Sequence, residues 1–335
     1  MKRQLIIVFG VLISVVFLFL AFRGLDPAAA WEYIRAAQPG WLVVGALTYF
    51  IAVIIISLRW QFLLRSVVFI PLRKLIPLVS IGYMGNNIYP FRSGEALRVY
   101  LLKRNHDIAI ARGATTVLIE RVFDGIVMLT FIVVPLLFIE TTSDDIQQVA
   151  SFAAPVFLIA LVLFFGLAAK PDWLRGLLRL VERVLPEKLA ELVDPIGEDI
   201  IIGLEGLRTP GNLAGAVVCS YATWAVEAGV YWIVSWAFDL GLGYPTMLLV
   251  VGTVNLAGLI PASPGQIGVF EFFVRSVVVG AGVGAAVGLA YAVVVHVVIW
   301  LPVTLLGFFF LVREGLSLKA VTRARELEDQ AQTIS

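Results

Sequence analysis

Two short stretches of an otherwise apolar chain hold side chains that could meet a phosphate. The first, "YMGNNIYPFRSGEALR" at residues 83–98, carries Asn87, Arg92, Gly94, Glu95 and Arg98 directly after an apolar run. Arginine presents a planar fork of donors suited to bidentate recognition of phosphate. Pro90 lacks a backbone donor, and Gly94 admits unusual dihedrals or a closely approaching ligand. A helix beginning near Gly94 would turn free N–H groups and a positive dipole end toward the same anion. The competing reading is that Arg92 and Arg98 snorkel to the membrane surface or only set topology. Glu95 would clamp one of these arginines or face the substrate as a counter-ion, since a lone intramembrane carboxylate is costly.

The second stretch, "ERVFDG" at 120–125, puts Glu120 and Asp124 one helical turn apart on one face, flanked by Arg121. Charges inside a span generally face the bundle interior, so these groups line the cavity of Arg92 or form an Arg121–Asp124 pair at the interface. Glu227 stands mid-span in "YATWAVEAGVYW", as a proton-coupling site or as the partner of a cation such as Arg59. Glu271 and Arg275 are four apart and suited to an ion pair. His296 lies in the last apolar run, where it titrates near neutral pH or simply bonds between helices.

The elements that must hold these groups belong to a membrane protein. Of 335 residues, 60% are hydrophobic and 15% charged, and mean hydropathy is +0.95; a soluble domain carries roughly 25% charged residues. The net charge of +1 gives no basic field for nucleic acid. One cysteine, Cys219, and two histidines exclude a disulfide framework and a His- or Cys-rich metal cluster. No metal or cofactor is expected.

Apolar segments follow a first helix over Leu5–Phe22, at 41–58, 75–91, 125–139, 149–169, 211–238, 244–270 and 276–312. A cleaved signal peptide is the rival for the first, although its apolar core would run only about 7–15 residues. The run at 125–139 is short for a span unless it extends back through Glu120, Arg121 and Asp124, and the last run breaks at "GAGVGAAVG", 280–288. Loop charge places both termini and the segments after 58 and 98 in the cytoplasm, and the acidic "ETTSDDIQQ", 140–148, outside. Residues 75–103 then enter and leave the membrane on one side, and 244–280 on the other, so each reads as a re-entrant hairpin.

The two turns also correspond in sequence. "PFRSGE" (90–95) and "PASPGQ" (261–266) share Pro, three residues, Gly, then Glu or Gln, with Asn87 and Asn255 just upstream. Ser263, Gly265 and Gln266 thus occupy the second turn, with neutral groups around the position of Arg92. Inverted repeats with broken helices mark alternating-access transporters, whose site lies at the repeat interface. The expected fold is an all-α polytopic membrane protein with about six full spans and two opposed re-entrant hairpins. The first repeat would be 1–140 and the second 149–312, with a cytoplasmic amphipathic segment at 170–208 and a tail at 313–335. About eight ordinary spans with a cytoplasmic loop at Arg92 is the alternative topology.

"GNNIYPFRSGEALRVYLLKR", "ERVFDG" and "NLAGLIPASPGQIGVFE", in that order, resemble the lysylphosphatidylglycerol synthase/flippase transmembrane family. That family includes the membrane half of the multiple peptide resistance factor. The resemblance implies translocation of a lipid between leaflets of the cytoplasmic membrane. Arg92, Gly94, Glu95, Glu120, Arg121, Asp124, Gly265, Gly268 and Glu271 occupy its motif positions. In bifunctional members a separate soluble domain performs aminoacylation; no such domain is expected here, and the chain is expected not to be an enzyme. The substrate would be an anionic or aminoacylated phospholipid or a polyprenyl-phosphate sugar, with a homo-oligomer or a separate glycosyltransferase or synthase partner left open. A membrane-embedded lipid-phosphate enzyme is the rival function, with Ser93 the sole candidate nucleophile beside Arg92.

Overall fold

A computed structural model describes residues 2–65, 67–89, 93–136 and 209–315, with positions 155, 159 and 176. Among the described residues there are ten α-helices and no strand. Apart from those three positions, the expected span at 149–169 and the amphipathic segment at 170–208 lie outside them, as do the acidic loop at 140–148 and most of the tail.

Helix α1 (Lys2–Phe22) bends by 80° into α2 (Pro27–Ala36). The bend has a local cause: Asp26 accepts a hydrogen bond from the Ala28 N–H, and Pro27 opens α2 at its first position. Helices α3 (Pro39–Leu64), α7 (Pro210–Trp236) and α10 (Ala285–Arg313) are each long and apolar enough to cross a membrane. Counting the bent α1–α2 pair as one span makes four. Helix α6 (Ile110–Leu136) has 27 residues, about 40 Å at ~1.5 Å per residue. It too is long enough, but Arg112, Glu120, Arg121 and Asp124 interrupt its apolar character.

Helices α4 (Leu72–Ile88) and α5 (Gly94–His106) form an antiparallel pair, with Gly85 against Gly94 and Gly82 against Arg98. The helix stops where sequence demands it. Tyr89 is already extended (φ −101°, ψ 146°), and Pro90 follows. In the second half α8 (Tyr244–Ala257) ends near Gly258, a 3₁₀ turn spans Pro264–Gln266, and α9 (Val269–Gly280) packs back on α8. The expected interruption within 280–288 is a turn at 281–284, where Gly282 has φ 96°.

Packing explains the rest. α3 and α7 run along each other, α10 covers α4, and α8 lies on α6. Gly45 lets α3 approach α7 so closely that a Cβ there would stand 3.0 Å from Val234 Cγ2. Trp60, Tyr231, Met84 and Val250 are buried in one continuous core. Leu12, Phe19, Leu47, Leu305 and Phe309 are exposed on the outside, as suits a bundle whose surrounding solvent is hydrocarbon.

Candidate functional site

Among the described residues, three arginines and three carboxylates converge where α3, α5 and α6 meet. Because Glu120 and Asp124 are four residues apart, α6 presents both toward α3, and Arg59 bridges them. Its Nη2 lies 2.8 Å from Glu120 Oε1, and its Nη1 lies 2.5 Å from Asp124 Oδ1. Arg98 of α5 donates to both Glu120 oxygens, at 2.9 and 3.3 Å, and its guanidinium covers the Trp60 ring at 4.4 Å. Arg121 reaches Glu120 at 2.9 Å, Asp124 at 3.0 Å and, more loosely, Glu95 at 3.6 Å. The Trp224 indole donates to Asp124 at 2.7 Å. Three positive and three negative side chains offset each other, which burial of charge requires.

This arrangement corrects part of the sequence reading. Arg98, Glu120 and Asp124 were expected at the substrate; Arg98 lines the neighbouring cavity while bonding Glu120 and covering Trp60, whereas Glu120 and Asp124 turn inward to the arginines. Arg59, one of the partners considered for Glu227, is fully buried at the centre of the cluster. Its signal in the sequence was a single arginine within an apolar helix, without any indication of its partner. Within the cluster, the open edge is the Arg121–Glu95 pair, whose side chains are 29% and 25% exposed.

That edge faces a cavity of about 420 Å³, within the roughly 300–1,000 Å³ range of ligand pockets. The cavity lies between the two helix breaks: Asn87, Gly94, Glu95 and Arg98 line it from the first, and Ser263, Gly265 and Gln266 from the second. Arg121, Glu227, Asn255, His296 and Trp300 complete the parts relevant here. Arg92, with Pro90 and Phe91, lies outside the described residues.

The breaks are built differently. At the first, Asn86 Oδ1 accepts the Gly94 N–H at 3.0 Å, so that donor is not free for an anion as the sequence suggested. Asn87 is bound to α10 through Thr304 Oγ1 at 2.8 Å. Asn255 returns its amide to Val251 O within α8, so the two asparagines are not equivalent. At the second break Gly265 has φ 71° and Gly268 φ 92°, conformations that favour glycine. A Cβ on Gly268 would also meet Ser14 O at 2.4 Å. Ser263 is fastened to Ser14 of α1 through both its hydroxyl and its N–H, at 2.8 and 2.9 Å. Gln266 donates to Gly258 O across its own turn.

Glu271 does not pair with Arg275. It sits in the first turn of α9, accepts the Gly268 N–H at 2.6 Å, and places its other oxygen 2.6 Å from His296 Nδ1. Phe270 stacks on the same imidazole at 4.0 Å. Arg275 donates instead to the carbonyls of Leu20 and Ala21 at the end of α1, groups that a helix end leaves without intrahelical partners. Glu271 thus shapes the second turn from behind, while His296 reaches the cavity. Among the described residues no group of three or more His, Cys, Asp or Glu stands together as a metal site would.

Residues 7–307 match the family model described as the lysylphosphatidylglycerol synthase TM region. The chain belongs to this family. It is a multi-pass membrane protein, like its relatives named UPF0104 membrane proteins. One of these, from Methanothermobacter thermautotrophicus, is 22% identical over 81% of this chain and 83% of its own length. Another, PH1989 of Pyrococcus horikoshii, is 23% identical over 92% of this chain and 96% of its own. Glycosyltransferase AglD of Haloferax volcanii is 25% identical over 80% of this chain. The match spans about half of AglD, 48% of its length.

Proposed function

We propose that this family member moves a phosphate-bearing lipid headgroup between the leaflets of a cytoplasmic membrane while the acyl or prenyl tails stay in lipid. The observation that carries the reading is the cavity between two helix breaks, with the open Arg121–Glu95 edge on its lining. The apolar bundle around it would make unaided passage of such a headgroup costly. Arg92, two residues before Gly94 in the sequence, is the residue assigned to the phosphate, with Arg121 completing the cationic side. Both termini face the cytoplasm in this reading. The α4–α5 and α8–α9 pairs are opposed re-entrant hairpins of an inverted repeat, a design that brings irregular backbone to membrane depth only where it lines a cavity.

Reconstitution in liposomes with labelled-headgroup lipids is the test. Translocation without covalent change is the expected outcome, and headgroup cleavage would replace this reading with a lipid-phosphate enzyme. Arg92→Ala and Arg121→Ala should each slow translocation by about tenfold or more, the loss of one charge-assisted contact of ~1.4 kcal/mol. Unchanged rates in Arg92→Ala would remove the phosphate assignment. The hairpin has its own measurement. Ser93→Cys should react slowly with membrane-impermeant thiol reagents from either side; rapid labelling from the cytoplasm would restore an ordinary loop.

The likeness to part of AglD, named a glycosyltransferase, favours a second reading in which the chain serves a polyprenyl-phosphate glycosyltransferase as a non-catalytic partner. Co-purification with such an enzyme and stimulation of its transfer activity, without translocation of any labelled lipid by the chain alone, would support it.

A further inference from the structure

Among the described residues the charge cluster balances without Glu227. Arg59, Arg98 and Arg121 are matched by Glu95, Glu120 and Asp124. Among the described residues no cationic side chain comes within ion-pairing distance of Glu227, although it is 6% exposed and lines the cavity. Its surroundings are polar in a particular way. Tyr231, one helical turn further along α7, is wholly buried and lines the same cavity, and among the described residues its hydroxyl has no hydrogen-bond partner. Tyr49 of α3 lines the same cavity. Asn255, in the last turn of α8, lines the same cavity, its amide N–H given to Val251 O. A helix C-terminus carries partial negative charge and favours a cation. Carboxylate, amide oxygen and phenol oxygen are hard donors suited to an alkali cation or an ammonium group.

We propose that Glu227, Tyr231, Tyr49 and Asn255 form a monovalent-cation subsite of the cavity, filled by an inorganic ion or by the ammonium of a headgroup. The inference rests on reading the cavity as a headgroup chamber. It adds that the chamber has a cation-binding part beside its arginine edge, so the preferred cargo is charge-paired, lipid with ion or lipid with its own amine.

The test measures binding rather than transport. The purified full-length protein is heated in nanodiscs in sodium, potassium or choline chloride at equal ionic strength, and with glycerophosphoethanolamine against glycerophosphate. One cation class should raise the unfolding temperature by several degrees. Glu227→Gln, which keeps shape and removes charge, should abolish that shift. Tyr231→Phe should require several-fold more cation for the same effect. A response to sodium or potassium over choline assigns an inorganic ion; a response to the amine probe over glycerophosphate assigns the headgroup. No cation response in wild type, or equal responses in wild type and Glu227→Gln, overturns the subsite. So does a lack of response with Glu227→Gln and Arg92→Ala destabilised alike, which would assign Arg92 as the carboxylate's partner. Wild-type scrambling is measured alongside. Scrambling without a cation response rejects the subsite alone, whereas a cation response without scrambling rejects the translocation reading and leaves the subsite standing.

Discussion

Arg59→Met should destabilise the protein by about 3–5 kcal/mol, the usual cost of removing one partner from a buried ion pair. Few other side chains are so enclosed by charge. Arg59 is fully buried between Glu120 and Asp124 on α6, 61 and 65 residues further along the chain. Methionine would fill much of the space but leave two carboxylates facing each other across one turn of helix. Arg98 and Arg121 are already committed to Glu120, and Arg121 also to Asp124, so neither can be wholly redirected. Thermal unfolding in detergent provides the measurement. Adding Glu120→Gln or Asp124→Asn to Arg59→Met should restore part of the loss, because each removes one uncompensated charge. Arg59→Lys should fall between the wild type and Arg59→Met, since a single ammonium cannot reach both acids with the geometry of a guanidinium. An Arg59→Met protein that unfolds at the wild-type temperature would show that the other arginines suffice.

The two acids of this cluster were legible because helical spacing alone puts Glu120 and Asp124 on one face. Their partner was not. Arg59 meets them through the packing of α3, α5 and α6, and no local rule in the chain carries that information. Glu271 makes the same point at short range: spacing suggested Arg275, four residues away on the same helix. The side chain instead caps the Gly268 N–H and meets His296, because the positive-φ glycine that opens α9 leaves its donor directly in front of it. The turn itself was more readable. Proline and glycine in "PFRSGE" and "PASPGQ" announce breaks, and α4 and α8 end just before those stretches. What hid from the sequence was how the breaks are finished: Asn86 on the Gly94 N–H, and Ser14 of a distant helix on Ser263.

Gly94→Ala should be the most damaging small substitution in the first turn. A Cβ at this position would stand 1.8 Å from Gly82 O and 2.6 Å from Asn86 N. Both are backbone atoms, so no rotamer change can make room; α4 and α5 would have to part by about 1 Å in a tightly packed interior. The expected loss is about 4 kcal/mol or more, at the upper end of single-substitution effects. Separation would also carry Arg98 away from Glu120, since Arg98 rests on Gly82 one turn along the same contact. The cavity edge would therefore deform together with the fold, and translocation should fall with stability. Gly125→Ala is the control: among the described residues nothing lies within 4 Å of a Cβ there, and the position is in α6, next to Asp124. Alanine there favours the helix by roughly 0.5–1 kcal/mol and should leave unfolding and translocation near or slightly above wild type. Equal behaviour of the two variants would mean that α4 and α5 are not held in this close contact. Loss in Gly94→Ala alone would tie the first turn's function to helix proximity as well as to the charge of its arginines.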